Sequence, residues 1–217
     1  MTGANSSATA AALREAESHL SRVDPVLAPL IARTGPCNLG ARPRDPFHIL
    51  CTSIISQQLS TKAADTIQGR VEVLVKANGR LEPAHFKGVR HASLRRAGLS
   101  NAKARWMVEI ARRVRDGEFS FEALNRLEDE AAIEMLDALP GIGRWSAEMY
   151  LIFALDRLDI FAMDDLGLRR SVNRLYAKGR KLGDRRTLAI TRAWTPYRSV
   201  ASWYLWRLGD EEPSNWD

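Results

Sequence analysis

The chain has 217 residues, enough for one substantial core or two small lobes, and its 45% hydrophobic and 27% charged residues are an ordinary globular balance. A net charge of +6 and a pI near 9.7 mark a protein that concentrates on polyanions. No apolar run approaches the roughly 18 residues needed to span a bilayer, so no membrane is expected as partner. The two cysteines, Cys37 and Cys51, are too few for a disulfide framework and too far apart for a close metal-binding pair, and both read as reduced cytosolic thiols.

The start of the chain, Met1 to Ala12, is small and polar and lacks the basic start and apolar middle of a secretory signal. Residues 1–8 are expected to be disordered, with a first helix from near Thr9 carrying Leu13, Ala16 and Leu20. A short second helix is expected after Asp24-Pro25, the aspartate capping and the proline in the first turn. Gly35 to Pro46 holds two glycines and three prolines and reads as a linker; lobe divisions are expected roughly at 35–46 and 115–120. Phe47 to Ile55 is an almost continuous apolar helix, buried all round. Gln57-Gln58-Leu59 interrupts it, and Ser60 can cap a new helix carrying Ala63, Ile67, Val71 and Leu74.

A further helix, Lys103 to Arg115, has Trp106, Ile110 and Val114 on one face and Arg105, Arg112, Arg113 and Arg115 on the other. Such a basic face is most often simply solvated. Gly117 ends it and Ser120 caps the next. Ile133, Leu136 and Leu139 then recur at a three-residue step, Pro140-Gly141 stops that helix, and Trp145, Met149 and Ile152 mark another. The predicted unit is helix, tight glycine hairpin, helix. Gly141 and Gly143 lack Cβ, so the loop can take positive φ and a large flat partner can lie against it. The amides of Ile142 to Trp145 open the second helix, where unpaired N–H groups and the dipole favour an anion, naturally a phosphate. Gly141-x-Gly143-x-x-Ser146 nearly matches a dinucleotide fingerprint, but that motif must follow a strand. A plain glycine turn between two core helices is the other reading. Asp164-Asp165 precede Leu168, Val172 and Leu175, the apolar face of a helix for which one aspartate is the N-cap. No stretch alternates as a strand does and no internal repeat is seen, so the chain reads as all-α in two lobes.

Five ordered segments carry a resemblance. These are Asp45-Pro46-Phe47 leading into Ile55-Ser56-Gln57-Gln58-Leu59-Ser60, then Ala97-Gly98-Leu99-Ser100-x-x-Lys103, LPGIGRWSAEMYLIFAL, DIFAMDDLGLRRSV, and Trp194-Thr195-Pro196-Tyr197-Arg198-Ser199. Over roughly residues 20 to 208 they resemble the helix-hairpin-helix superfamily of DNA glycosylases, and within it the DNA-3-methyladenine glycosylase II family. The resemblance implies a bilobal helical fold, the first helix returning beside the C-terminal ones. It also implies base excision repair: an alkylated purine of the 3-methyladenine or 7-methylguanine type is flipped from double-stranded DNA and hydrolysed off. Position by position it makes Asp165 catalytic, with Asp164 as cap or orienting neighbour. Trp145 and Trp206 line the base pocket, Phe47 is a third candidate, and Met149 stands where the best-known type of pocket has a tyrosine. Gln58 or Leu59, beside Ser60, is the wedge that fills the gap left by the flipped base. Gly141, Ile142, Gly143 and Arg144 contact DNA, and the carbonyls of Asp137, Leu139 and Ile142 can hold a sodium or potassium ion. Trp106, Trp194 and Trp203 are expected in the core. Ala162 stands where the family often has proline.

The chemistry implied needs few groups. As the N-glycosidic bond breaks, the sugar gains oxocarbenium character that a nearby carboxylate stabilises. An N3- or N7-alkylated purine is already cationic and departs neutral, so no second acid is required. Strand-cutting relatives have a lysine where Trp145 stands, and an indole forms no Schiff base; an iron–sulfur cluster needs four cysteines. A monofunctional glycosylase without lyase activity is therefore expected, rather than a lyase for oxidised bases. His19, His48, His85 and His91 show no ligand spacing, so neither zinc nor any cofactor beyond the hairpin ion is expected. The alternative of another class is a non-catalytic helix-hairpin-helix DNA-binding protein, which would need neither Asp165 nor Trp145. A monomer is expected, in the cytoplasm at a bacterial nucleoid or in a nucleus, without the N-terminal β-rich domain that many family members carry.

Overall fold

The computed structural model describes residues 3–40 and 45–209. Its helices are α1 (Gly3–Val23), α2 (Ala28–Thr34), α3 (Pro46–Ser56), α4 (Thr61–Val75), α5 (His91–Arg96), α6 (Asn101–Arg115), α7 (Phe121–Asn125), α8 (Asp129–Asp137), α9 (Arg144–Phe153), α10 (Leu166–Ala177), α11 (Asp184–Thr191) and α12 (Arg198–Gly209), with two short 3-10 turns. No strand occurs among the described residues, and no helix among them is long and apolar enough to cross a membrane. The fold is all-α. It divides into two compact units, one of Met1–Pro43 with Leu151–Asp217, the other of Arg44–Tyr150. The chain passes between them once within the Gly35–Pro46 linker and again inside α9, well after the 115–120 interval, where Gly117 at φ +77° merely turns α6 into α7.

In the first unit α1 begins at Gly3 rather than near Thr9, so the expected disordered stretch is helical from Gly3 onward; Met1 and Thr2 lie outside the described residues, as do residues 210–217. The alanine-rich start contains no proline, and a helix anchored by the buried Leu13, Ala16 and Leu20 extends upstream at one hydrogen bond per residue. Asp24 does not cap α2, whose N-cap is Leu27 and whose first-turn proline is Pro29; it closes the turn before that helix. Its Oδ1 accepts from the amides of Val26 (2.9 Å) and Leu27 (3.0 Å), while Oδ2 accepts from the Tyr176 hydroxyl (2.6 Å) and Trp194 Nε1 (2.7 Å). A buried carboxylate so fully paired joins α2, α10 and the turn before α12, and Trp194 is core as expected. The last stretch leads into α12 through Arg198, whose guanidinium grips Asp159 at 2.8 and 3.0 Å.

The second unit is built around α3, capped by Asp45, whose carboxylate accepts from the His48 amide at 3.0 Å. Phe47, Ile49, Leu50, Cys51, Ile54 and Ile55 are all buried. On α4 the buried stripe is Ala64, Val71 and Val75, while the expected Leu74 is exposed. On α6 it is Ala104, Met107, Ile110 and Ala111, with Trp106 and Val114 half-buried on its flank. Val71 and Ile110 are buried as expected, while their stripe partners are the neighbouring Ala64, Val75, Met107 and Ala111, because residues flanking an apolar stripe lie within the same turn of the helix. Ser60 occupies the N-cap of α4 without making a capping bond. Ser100 and Ser120 do cap, accepting from Lys103 N and Ala123 N at 3.2 Å each.

Candidate active site and nucleic-acid contacts

In the second unit α8 ends at Asp137, and the hairpin turns through buried Leu139 and Ile142 before α9 opens at Gly143, whose carbonyl accepts from the Ala147 amide at 3.0 Å. The Ile142 amide donates back to Leu139 O at 3.2 Å, so it closes the turn instead of joining the anion-facing amides. Gly141 has φ +83°, and a Cβ there would meet Trp106 Cε3 at 2.2 Å. The close approach that requires glycine is thus met first by an indole from α6. Gly143 is exposed, with nothing within 4 Å of an added Cβ, and stays open to a ligand. Arg144, expected to contact DNA, is half exposed at the start of α9. Its guanidinium makes two bonds to Glu130 (2.7 and 3.0 Å) and one to Glu148 (3.1 Å), lowering the Glu130 pKa and raising its own. Glu130 on α8 and Glu148 one turn along α9 flank it, so without DNA the guanidinium pairs with carboxylates.

Between α3 and α4, Gln58, Leu59 and Ser60 are exposed, as a wedge requires. Gln58 holds φ +60°, a left-handed conformation costly for a residue with a Cβ. The Gln57 side chain donates to Gly141 O at 2.9 Å, tying this elbow to the hairpin. Lys103 Nζ donates to Ile55 O at 2.9 Å and Gln57 O at 2.6 Å. In the sequence Lys103 stands out only through its motif, and Gln57 carries no signal of its own. Trp145 is half-buried on α9 and Met149 almost wholly buried. Phe47, expected as a pocket wall, is buried edge-on against Phe86 at 5.8 Å and belongs to the core of this unit.

In the first unit Asp165 itself, not Asp164, is the N-cap of α10: its Oδ1 accepts from the Leu168 amide at 2.7 Å. The same oxygen lies 3.3 Å from Trp206 Nε1, which donates to it. Asp165 is 9% exposed, whereas Asp164 is exposed. Gly167 makes room, since a Cβ there would stand 3.2 Å from Asp165 Oδ1 and 3.7 Å from the Trp206 ring. Trp206 packs against Phe153 at 5.4 Å. Asp165 and Trp206 are thereby brought together as one constellation with a fixed carboxylate.

Residues 51–196 match the family model of the HhH-GPD superfamily of base excision DNA repair proteins. DNA-3-methyladenine glycosylase 1 of Schizosaccharomyces pombe is 32% identical over 199 residues, which cover 90% of this chain and 87% of that protein. A crystal structure of a DNA-3-methyladenine glycosidase from Bacillus halodurans is 37% identical, with a TM-score of 0.80 over 89% of this chain and 88% of that one. The S. pombe 3-methyladenine DNA glycosylase Mag1 in complex with abasic DNA is 32% identical, with a TM-score of 0.77 over 89% and 95%. The chain belongs to the HhH-GPD superfamily of base excision DNA repair proteins, in its DNA-3-methyladenine glycosylase family, and is a DNA glycosylase.

Proposed function

We propose that this glycosylase acts on alkylated purines in duplex DNA, hydrolysing the N-glycosidic bond beside Asp165 and leaving the strand uncut. The observation that carries the reading is the state of Asp165: a buried carboxylate whose Oδ1 is fixed by the Leu168 amide and the Trp206 indole. Two donors on one oxygen hold the carboxylate plane, so its charge is in place before positive charge develops on the sugar, and little reorganisation is needed in the transition state. The same carboxylate can orient the attacking water. A cationic alkylated base leaves neutral, which accounts for the sufficiency of one carboxylate. Trp145 supports both halves of the proposal: its ring can stack on a cationic base, and it offers no amine for a Schiff base. The names of the relatives point to the same substrate class.

The open Gly143 and the exposed elbow are the parts that meet DNA, the first through backbone N–H groups at the α9 N-terminus and the second as wedge. A sodium or potassium ion would be held by the hairpin carbonyls of Asp137, Leu139 and Ile142, of which Leu139 O accepts one amide and keeps a second lone pair. Bound there, it would add a positive charge facing a phosphate. The enzyme works as a monomer in the compartment that holds the DNA.

The test is release of free base from methylated duplex DNA by the wild type and Asp165→Asn, followed by hot alkali. Asparagine keeps the cap, so the variant should fold and bind DNA while base release falls on the order of 100- to 1,000-fold. The wild type should leave strands that alkali cuts but the enzyme does not. Equal DNA binding with no base freed by either protein would mean a non-catalytic DNA-binding relative, and spontaneous strand cleavage would overturn the monofunctional reading.

A further inference from the structure

Burying an ammonium is costly, and burial here lowers the Lys103 pKa. What it gains is a pair of acceptors at the negative end of α3, the carbonyls of Ile55 and Gln57, which have no partner inside the helix. Ile55 lies three residues and Gln57 one residue before Gln58, whose left-handed backbone persists only if its surroundings hold it. From the other side the Gln57 amide grips Gly141 O. Trp106, three residues beyond Lys103 on α6, lies against Gly141. One helix therefore holds the elbow through Lys103 and the hairpin through Trp106, and Gln57 closes the loop between them.

We infer that Lys103 is a positioning residue that, with Gln57, locks the Gln58-Leu59 elbow onto the Gly141 hairpin so that the elbow can enter the base stack while the hairpin holds the phosphate. This rests on reading the elbow as a wedge. Lys103 touches no reacting atom; it fixes where Gln58 and Leu59 stand when the duplex is opened. A wedge matters only while the damaged base must be unpaired and unstacked. A lesion already lacking a partner needs it far less.

The experiment compares wild type, Lys103→Met and Gln57→Met in single-turnover release of 7-methylguanine placed opposite cytosine or opposite an abasic site. Both variants should lose on the order of 10- to 100-fold against the paired lesion and stay within about twofold against the unpaired one. Lys103→Arg, which can still bridge the two carbonyls, should recover most of the paired rate. Gln57→Met removes no α3 cap and tests the elbow-to-hairpin link alone. Equal losses on both substrates would make Lys103 a fold determinant only, and no loss on either would remove its role. A second readout does not depend on chemistry: 2-aminopurine placed beside the lesion brightens when the stack opens. Wild type should brighten it on binding and Lys103→Met should not, and a wild type that binds without brightening it would overturn the proposal even if no base were released. Failure of catalysis alone, with brightening intact, would count against the glycosylase reading and leave the clamp standing.

Discussion

At the scale of single residues, the two hairpin glycines separate structural from functional need. Gly141 has φ +83° and a Trp106 ring where a Cβ would stand, at 2.2 Å from Cε3 and 2.4 Å from Cδ2. An indole is rigid and cannot step aside as a flexible chain end would, so Gly141→Ala combines backbone strain with overpacking, about 2–4 kcal/mol together. Gly143 has ordinary backbone and open space around it. Gly143→Ala should melt at or slightly above the wild-type temperature, because alanine restricts the unfolded chain, yet its methyl group projects where a phosphate would approach, so DNA binding should weaken. Thermal melts and binding isotherms on both variants check this. A Gly143→Ala protein with unchanged affinity would show that no phosphate comes close. Asp165 joins structure and function in one side chain: it caps α10 through the Leu168 amide and meets Trp206 with the same oxygen. The cap does not compete with the proposed catalytic role, because both use a carboxylate held in one orientation.

At the scale of elements, α6 shows how a basic face can be spent. Arg112 pairs with Glu109 (2.9 Å), Asp116 (3.1 Å) and Glu118 (2.6 Å), and Arg113 with Glu109 (2.9 Å). Hydrogen bonds from Arg112 and then Arg113 lower the Glu109 pKa from 4.5 to about 2. A carboxyl whose folded pKa is depressed contributes stability that is present above about pH 4.5 and lost as pH falls toward 2. Because the Glu109 side chain is 37% exposed, solvent limits that contribution to below about 1 kcal/mol. Glu109→Gln should therefore be slightly less stable near neutrality and lose less of its stability on acidification, which urea midpoints from pH 7 down to about 2 would reveal. A variant with the wild-type acid slope would leave the network without energetic weight. The helices themselves were legible because their signals are local: Pro140-Gly141 stops one, Ser100 and Ser120 cap others, and apolar steps of three and four mark faces. The ties between them were not. Gln57 reaches Gly141 across 84 positions and Lys103 reaches Ile55 across 48, each ending on a backbone carbonyl, which every residue carries and no pattern marks. Likewise Arg144 announced a charge while the partners that claim it, Glu130 and Glu148, are set by how α8 and α9 lie.

At the scale of the whole molecule, the second unit holds the glycine hairpin and the elbow, and the first holds Asp165 and Trp206. The chain runs from one set to the other through α9. The net charge of +6 suits a DNA enzyme, but charge that is already paired does not displace counterions. Arg112, Arg144 and Arg198 each face carboxylates at 3.1 Å or less. Lys62 is exposed in the first turn of α4, directly beside the elbow. Each cation that meets a phosphate adds about 0.9 to the slope of log affinity against log salt on duplex DNA. Lys62→Gln should thus flatten that slope by nearly one, and Arg112→Gln should leave it unchanged. Anisotropy titrations on an undamaged duplex between about 50 and 200 mM salt measure both. If the Arg112 variant lost as much slope as the Lys62 variant, the α6 network would have to open on DNA, and its ion pairs would be a store of phosphate ligands rather than a brace between α6 and the turn that follows it.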